Sequence, residues 1–485
     1  MRSKSLFSSA LACLLSLVHS ESIADAAAAI ANPYSPRYRQ FLTATEAIKL
    51  AKQLPAISFP FSATQATRRG RTQKARDVPR QKSSRRDTCG ANDNVTPSCI
   101  RQIYGIEYTP EPNRVTFAVY ATEAATYNPS DLNNYLEQYR PEAQGAAYDV
   151  IGTGDSSEPS NIEAGFEVAL DTQTILGNAW PAQGQLYDIG GVFGPIPGQP
   201  YKPFVDFLMG LISNESIPSV VSFSESMAED FVNPDYARTL CTMMALAGAR
   251  GVSLLFSSGD NGPSGDTADG PHKVVFEPEF PASCPWVTAV GGTTDLENEV
   301  GATSSTIPPF AATFYTASGG GFSNLFEAPA WQKDVTAEYI SQYVPSSYEN
   351  ISGFNARGRG IPDVSAFSTN FPTYVNGATL PLAGTSASTP LWAAVIVLLN
   401  DYEASNGRPP LGFLNPWLYS LSEESNALYD IVDGGNNKGG CNAATGCNLT
   451  DLVGYDVTPG WDAVTGLGRP IFDGLKAALD EFECL

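Results

Sequence analysis

A serine, a few carboxylates and almost no histidine are the residues with which this chain has to do chemistry. Ser386 stands in Gly384-Thr385-Ser386-Ala387-Ser388-Thr389-Pro390, between an apolar stretch and an amphipathic run over 391–400. A glycine, a hydroxyl residue and a serine at the mouth of a helix can mount a nucleophile. Glycine lets the backbone turn sharply, and the helix N-terminus favours negative charge developing nearby. The same three residues also make an ordinary helix cap, so the rest of the chain has to decide. A serine nucleophile needs a base. The chain has two histidines, and His19 falls in a leader-like stretch. A Ser-His-Asp mechanism therefore has only His272, in Gly270-Pro271-His272-Lys273, with no carboxylate placed to orient it.

Carboxylates offer the alternative. Glu163, Glu167 and Asp171 fall at i, i+4 and i+8 of a stretch with helical period, so they share one face. Such a row is ordinarily a solvated face. Here the small residues Ala164, Gly165 and Ala169 suit a helix packed closely beneath a site. Two carboxyl groups held together raise one pKa, so one can act as base while the other stays protonated and orients it. Asp260 lies in Ser257-Ser258-Gly259-Asp260-Asn261-Gly262. It reads as a turn aspartate, or as a carboxylic acid that donates to an oxyanion when acid or burial keeps it protonated. A serine, a carboxylate base and a protonated carboxyl work together at low pH without an imidazole. Toward the C-terminus, Asp430-Ile431 and Thr458-Pro459-Gly460-Trp461-Asp462 bring carboxylates and carbonyls into glycine-rich loops, a hard-oxygen set that suits Ca²⁺.

The elements that position these residues alternate. Strand-like runs are predicted over 115–120, 219–224, 252–257 and 286–290, and helices over 129–139, 161–176, 234–250 and 472–479. Strands alternating with helices imply an α/β fold, a parallel sheet covered on both faces. Ligand sites in such folds lie at the carboxyl ends of strands, where Asp260 stands.

Charge divides the chain. Up to Arg86 there are 15 Lys and Arg against 4 Asp and Glu, which leaves 14 of the 29 basic and 47 of the 51 acidic residues for the remainder. So acidic a surface disfavours nucleic acid and is discharged by acid. Residues 1–20 read as a secretory signal, with a basic start and an apolar stretch too short to span a bilayer, and no later run is long enough. Residues 21–86 read as a short prosegment and a basic linker. The prosegment has a capped helix from Thr43 with Glu46 as its box partner, and the linker holds the dibasic pairs Arg68-Arg69 and Arg85-Arg86. Residues 87–485 form the main domain. Outside the signal, Cys89 with Cys99, Cys441 with Cys447 and Cys241 with Cys284 are possible bridges, with Cys484 left over, in a pairing that sequence leaves open. Asn94, Asn214, Asn350 and Asn448 head glycosylation sequons. These features read as an exported protein with no membrane span.

Several separated motifs together resemble the sedolisins, the serine-carboxyl peptidases. They are Glu-x-x-x-Asp at 167–171, Ser-Gly-Asp-x-Gly at 258–262, Phe280-Pro281-Ala282-Ser283-Cys284-Pro285, Ser318-Gly319-Gly320-Gly321, Pro362-Asp363-Val364-Ser365, the Gly-Thr-Ser motif and Gly460-Trp461-Asp462. The resemblance runs from about Cys89 to the C-terminus, and Leu411-Gly412-Phe413-Leu414-Asn415-Pro416 is similar to the fungal tripeptidyl-peptidase branch. It implies a subtilisin-like fold and an acid peptidase releasing tripeptides from free N-termini. Ser386 would be the nucleophile, Glu167 the base, Asp171 its partner and Asp260 the oxyanion acid. One structural Ca²⁺ is implied through Asp430, Ile431, Thr458, Gly460 and Asp462. A monomer acting on peptides and proteins, inhibited by its own propeptide until cut, is also implied. Two departures stand out. The prosegment is short, and Glu225-Ser226 follows Ser222-Phe223-Ser224 where relatives carry an aromatic residue and glycine. An endopeptidase of the same kind and a non-catalytic binding protein on this fold are the alternatives.

Overall fold

The structure is a computed structural model that describes residues 22–54, 89, 94–121, 127–152, 162–188, 202–264, 276–302, 305–306, 315–421, 425–436 and 453–482. The central sheet is built from β1 (Thr116–Ala121), β2 (Asp149–Gly152), β3 (Gln183–Asp188), β4 (Val220–Phe223), β5 (Ser253–Ser257), β6 (Thr288–Thr294), β7 (Val300–Gly301) and β8 (Val364–Phe367). Their order is β8-β6-β5-β4-β1-β3-β2, all parallel, with β7 antiparallel to the end of β6. The α/β expectation of a parallel sheet flanked by helices is met.

Alternation along the strands explains why both faces are covered. Phe117 and Val119 of β1, Val220 of β4, Leu255 of β5 and Val290 of β6 enter one core. Ala118 and Tyr120, Val221 and Phe223, Leu254 and Phe256, and Ala289 enter the other. With period 2 and apolar residues at both phases, neither face can be left to water.

Among the described residues these helices pack on or around the sheet: α1 (Ile23–Ala31), α2 (Ala44–Ala51), α3 (Pro97–Ile103), α4 (Pro129–Tyr139), α5 (Ile162–Ala179), α6 (Lys202–Ser213), α7 (Pro234–Ala249), α8 (Thr385–Ser405) and α9 (Phe472–Phe482). On the first face α5 packs along α8, with α3, α4 and α9 beside them. On the second face lie α6 and α7, and outside them α1 and α2. The predicted capping box holds: Thr43 Oγ1 accepts from the Glu46 N–H at 3.3 Å, and Glu46 Oε2 accepts from the Thr43 N–H at 2.8 Å. Ile23, Ile30, Leu42 and Leu50 are buried in the second core, each contributing roughly 2 kcal/mol. The Leu42 N–H donates to the Ala249 carbonyl at 2.8 Å, and Arg39 pairs with buried Glu403. The N-terminal segment is thus docked on the body of the molecule. The basic linker lies outside the described residues.

Three sequence expectations change. The amphipathic run over 391–400 belongs to a longer helix, α8, that begins at Thr385 inside the motif and is buried on every side through Asp401. Its polar residues are satisfied locally: Ser388 donates to the carbonyls of Ala366 and Phe367, and Thr389 to that of Thr385. Helix α5 runs on to Ala179. Strand β6 continues through Gly291 and Gly292 to Thr294, because a Cβ at Gly291 would lie 2.7 Å from Pro362 and one at Gly292 2.7 Å from Ser368. Glycine there marks close packing, where the sequence suggested a strand end.

Candidate active site

The end of β4, the end of β5 and the start of α8 converge, all at the carboxyl edge of the sheet or facing it. Gly384 precedes α8 at φ +143°, a conformation that favours glycine, and a Cβ there would lie 2.7 Å from Asp260 Oδ2. The glycine of the motif therefore both turns the chain and admits the aspartate. Asp260 Oδ1 accepts hydrogen bonds from the Thr385 N–H at 2.7 Å and the Thr385 hydroxyl at 3.1 Å. The first turn of α8 thus binds one carboxyl oxygen and leaves Oδ2 beside Gly384.

Ser386 follows in the first turn and is buried. Its hydroxyl donates to the Ser224 carbonyl at 3.3 Å. Pro390 lies four residues on and has no N–H, so the Ser386 carbonyl has no helical donor. The Ser224 hydroxyl fills that role at 3.3 Å, while also lying 2.8 Å from Asp171 Oδ1. The proline of the motif thus frees a carbonyl that ties the nucleophile's turn to the carboxylate pair.

On α5, the spacing of four residues puts Glu167 and Asp171 on one face, turned toward α8. Asp171 is buried and hydrogen-bonds both Ser224 and Glu167. The Glu167 carboxyl lies beside Ser386, and its Oε1 is a buried acceptor with no partner among the described residues. Burial pushes Glu167 well above the usual carboxylate range. The charges of Asp171, Glu225 and Asp260 push it further, and the Ser386 hydroxyl opposes them. Burial likewise raises Asp171, opposed by the Ser224 hydroxyl. Burial raises Asp260 too, against the Thr385 N–H and hydroxyl. The site is a set of carboxyl groups inclined to hold protons, with a serine in their midst.

All four predicted catalytic residues, Ser386, Glu167, Asp171 and Asp260, come together. The side chain of Glu163 and the whole of His272 lie outside the described residues. Sequence reasoning assigned no role to Ser224 or Thr385, which orient Asp171 and Asp260. Their only local signals are a hydroxyl at a strand's carboxyl end and one beside the nucleophile. Disulfides join Cys89 to Cys99 and Cys241 to Cys284, while Cys441, Cys447, Cys484 and Asn448 lie outside the described residues.

The two C-terminal loops also meet. Asp430 Oδ2 accepts from the Gly460 N–H at 2.8 Å, and Asp462 Oδ2 accepts from the Thr458 N–H at 3.3 Å. Asp462 is fully buried and further bound by Val464 and Thr465, yet burial lifts it to about 7. Among the described residues no cationic side chain pairs with it, and Thr458 Oγ1 is buried without a partner. Asp430 and Asp462 are the carboxylates here that could hold a divalent hard ion, and each accepts from backbone N–H groups, Asp430 from the facing loop and Asp462 from its own.

A family profile described as the subtilase family matches residues 125–410. The tripeptidyl-peptidase SED2 of Arthroderma otae is 33% identical over 411 residues, 79% of this chain and 65% of that protein. The probable tripeptidyl-peptidase SED3 of Trichophyton verrucosum is 36% identical over 424 residues, 83% of this chain and 67% of that protein. The chain thus spans about two thirds of the length of these relatives. Among solved structures, Pseudomonas sedolisin, a serine-carboxyl proteinase complexed with pseudo-iodotyrostatin, superposes with TM-score 0.61 at 23% identity. It covers 80% of this chain and 98% of that one, which is a likeness of fold.

Proposed function

Since the chain belongs to the subtilase family, among its sedolisin members, we propose that it is a secreted, acid-acting serine-carboxyl peptidase releasing tripeptides from free N-termini. The observation that carries this reading is the convergence of Ser386 with the Glu167 carboxyl, with Asp171 behind the base and Asp260 bound at the same helix start. In this reading Glu167 takes the proton as the Ser386 oxygen attacks the scissile carbonyl. Asp260, protonated, donates to the oxygen that becomes negative. Asp171 accepts from Ser224 and holds Glu167 in place. Glu167 then returns its proton to the leaving amine, and water enters the same cycle to release the acyl group.

One Ca²⁺ is proposed at the C-terminal loops, held by the Asp430 and Asp462 side chains and the carbonyls of Ile431, Thr458 and Gly460. Bound there it supplies charge compensation and ties two loops together, without entering the reaction. The N-terminal segment to Arg86 is read as a prosegment that inhibits until it is cut, and the mature protein as a monomer acting on peptides.

The test uses secreted, processed protein in acid with one peptide bearing a free N-terminus and the same peptide acetylated, products being read by mass spectrometry. Successive tripeptides from the free peptide alone are expected, and Ser386→Ala abolishes them. Internal cuts in both peptides would make it an endopeptidase. Full activity in Ser386→Ala would end the serine mechanism.

A further inference from the structure

Helix α7 has no side that water could wet over its last two turns. Residues 243–249 carry no polar side chain, and every one of them is buried. A helix that is apolar all round has to be covered all round. The sheet covers one side, with Leu254 and Phe256 of β5 in the same core. The outer cover comes from the N-terminal segment. Ile23, Ala27 and Ile30 of α1 and Leu50 of α2 share a core with Met243, Met244 and Leu246, with α1 on α7 and α2 against α6 and α7.

Between its two helices the segment is keyed to the body. Phe41 lies against Gly251 and Gly412, and a Cβ would stand 3.1 Å from its ring at the first and 2.6 Å at the second. The Leu42 N–H donates to the carbonyl of Ala249, where α7 ends. Arg39 donates from Nε to the Pro410 carbonyl at 2.9 Å and pairs with the buried Glu403 carboxyl.

These contacts lie far from the nucleophile. Ala249 ends α7 just before β5 enters the sheet, so the segment covers the amino edge. Glu403 stands near the other end of α8 from Ser386, about 25 Å away at 1.5 Å per residue.

We propose that residues 22–54 are a permanent part of the folded enzyme, held after the linker is cut as a second, noncovalent chain that covers α7 without inhibiting the site. The cut is taken from the reading above; the docking is not. Inhibition by the prosegment then falls to residues 55–86. Loss of the helices would turn a wholly apolar stretch of α7 to water, which favours their retention. A segment that binds the folded body and not the unfolded chain also adds stability by mass action.

The experiment cuts the linker of the secreted full-length protein at Arg68-Arg69 and Arg85-Arg86 with a dibasic-specific endoprotease and passes the product over a sizing column in acid. The N-terminal fragment is expected to elute with the body, one to one, as read by denaturing mass spectrometry of the peak. The melting temperature of the cut protein should fall on about tenfold dilution, and that of the uncut protein should not. Arg39→Ala with Phe41→Ala should empty the peak of fragment and lower the melting temperature of the cut protein more than that of the uncut one. Leu50→Ala is the milder variant if that pair fails to fold, with a smaller loss of fragment expected. A wild-type body that elutes alone and melts at the temperature of the uncut protein overturns the proposal. So does a complex that cleaves peptides only after the fragment has been stripped from it. Elution and melting need no activity, so an inert complex would end the peptidase reading and leave the docking standing.

Discussion

This fold buries Asp363 beside a cation and, among the described residues, Glu167, Asp171 and Asp260 without one. Asp363 is fully buried with Arg359 at 2.5 Å, and it also accepts from the Ala289 N–H at 2.7 Å and the Tyr419 hydroxyl at 2.9 Å. Gln332 completes the cluster by donating to the Gly360 carbonyl and the Tyr419 oxygen. Glu167, Asp171 and Asp260 are buried with hydroxyls, backbone N–H groups and one another for company, and among the described residues no cation pairs with them. The first arrangement satisfies a charge and stays put. The second leaves charges uncompensated, so its members hold protons and are free to exchange them. A guanidinium accompanies Asp363, and among the described residues none accompanies the three carboxyls around the serine.

The contrast can be broken from either side, and the largest effect belongs to the reactive set. Glu167→Gln keeps the shape and removes the base, so kcat should fall on the order of 10³-fold with stability nearly unchanged. A steady-state assay beside a thermal melt tests this, and retained turnover would show that another group takes the proton. From the other side, Arg359→Met strands Asp363 in the core and should cost about 3–5 kcal/mol in urea unfolding. An unchanged midpoint would mean that Tyr419 and the Ala289 N–H suffice.

The next effect is a dependence on pH. A carboxyl whose folded pKa lies above its unfolded value binds more protons when folded. It stabilises the fold below the unfolded pKa, and that contribution is lost as pH rises toward the folded value. Burial lifts Asp188 to about 6 and Glu277 to about 7. Thermal stability should therefore be highest in acid and decline from about pH 4 toward neutrality. Melts at several pH values check this, and a stability that rises over that window would contradict the assignment. Smallest is Glu225→Gln. Removing one negative neighbour lowers the pKa of Glu167 and Asp171, so the acid limb of the kcat/KM profile should move to lower pH. An unmoved limb would place Glu225 outside the electrostatics of the pair.

Local chemistry made much of this legible in advance. A spacing of four positions puts Glu167 and Asp171 on one helical face, whatever that helix packs against. The Thr43–Glu46 capping box is likewise complete within four residues. Sequence spacing marked residues 391–400 as an amphipathic run, whereas the helix that holds them begins earlier and is buried. In the folded chain Ser388 and Thr389 spend their hydroxyls on nearby carbonyls, and the helix lies buried on all sides.

By itself, then, the sequence determined residue types, their short-range spacing and the alternation that demands a sheet covered on both faces, because each depends only on neighbours a few residues away. Only the tertiary structure decided that Ser224 meets Asp171, that Thr385 binds Asp260, that Glu279 reaches Gly259 and that Arg39 docks a distant segment onto Glu403. Those contacts join residues separated by 20 to more than 300 positions, and no local preference encodes which strand ends share an edge. They also set the protonation of the site, since desolvation arises from every element packed around a group and not from the group's own stretch of chain.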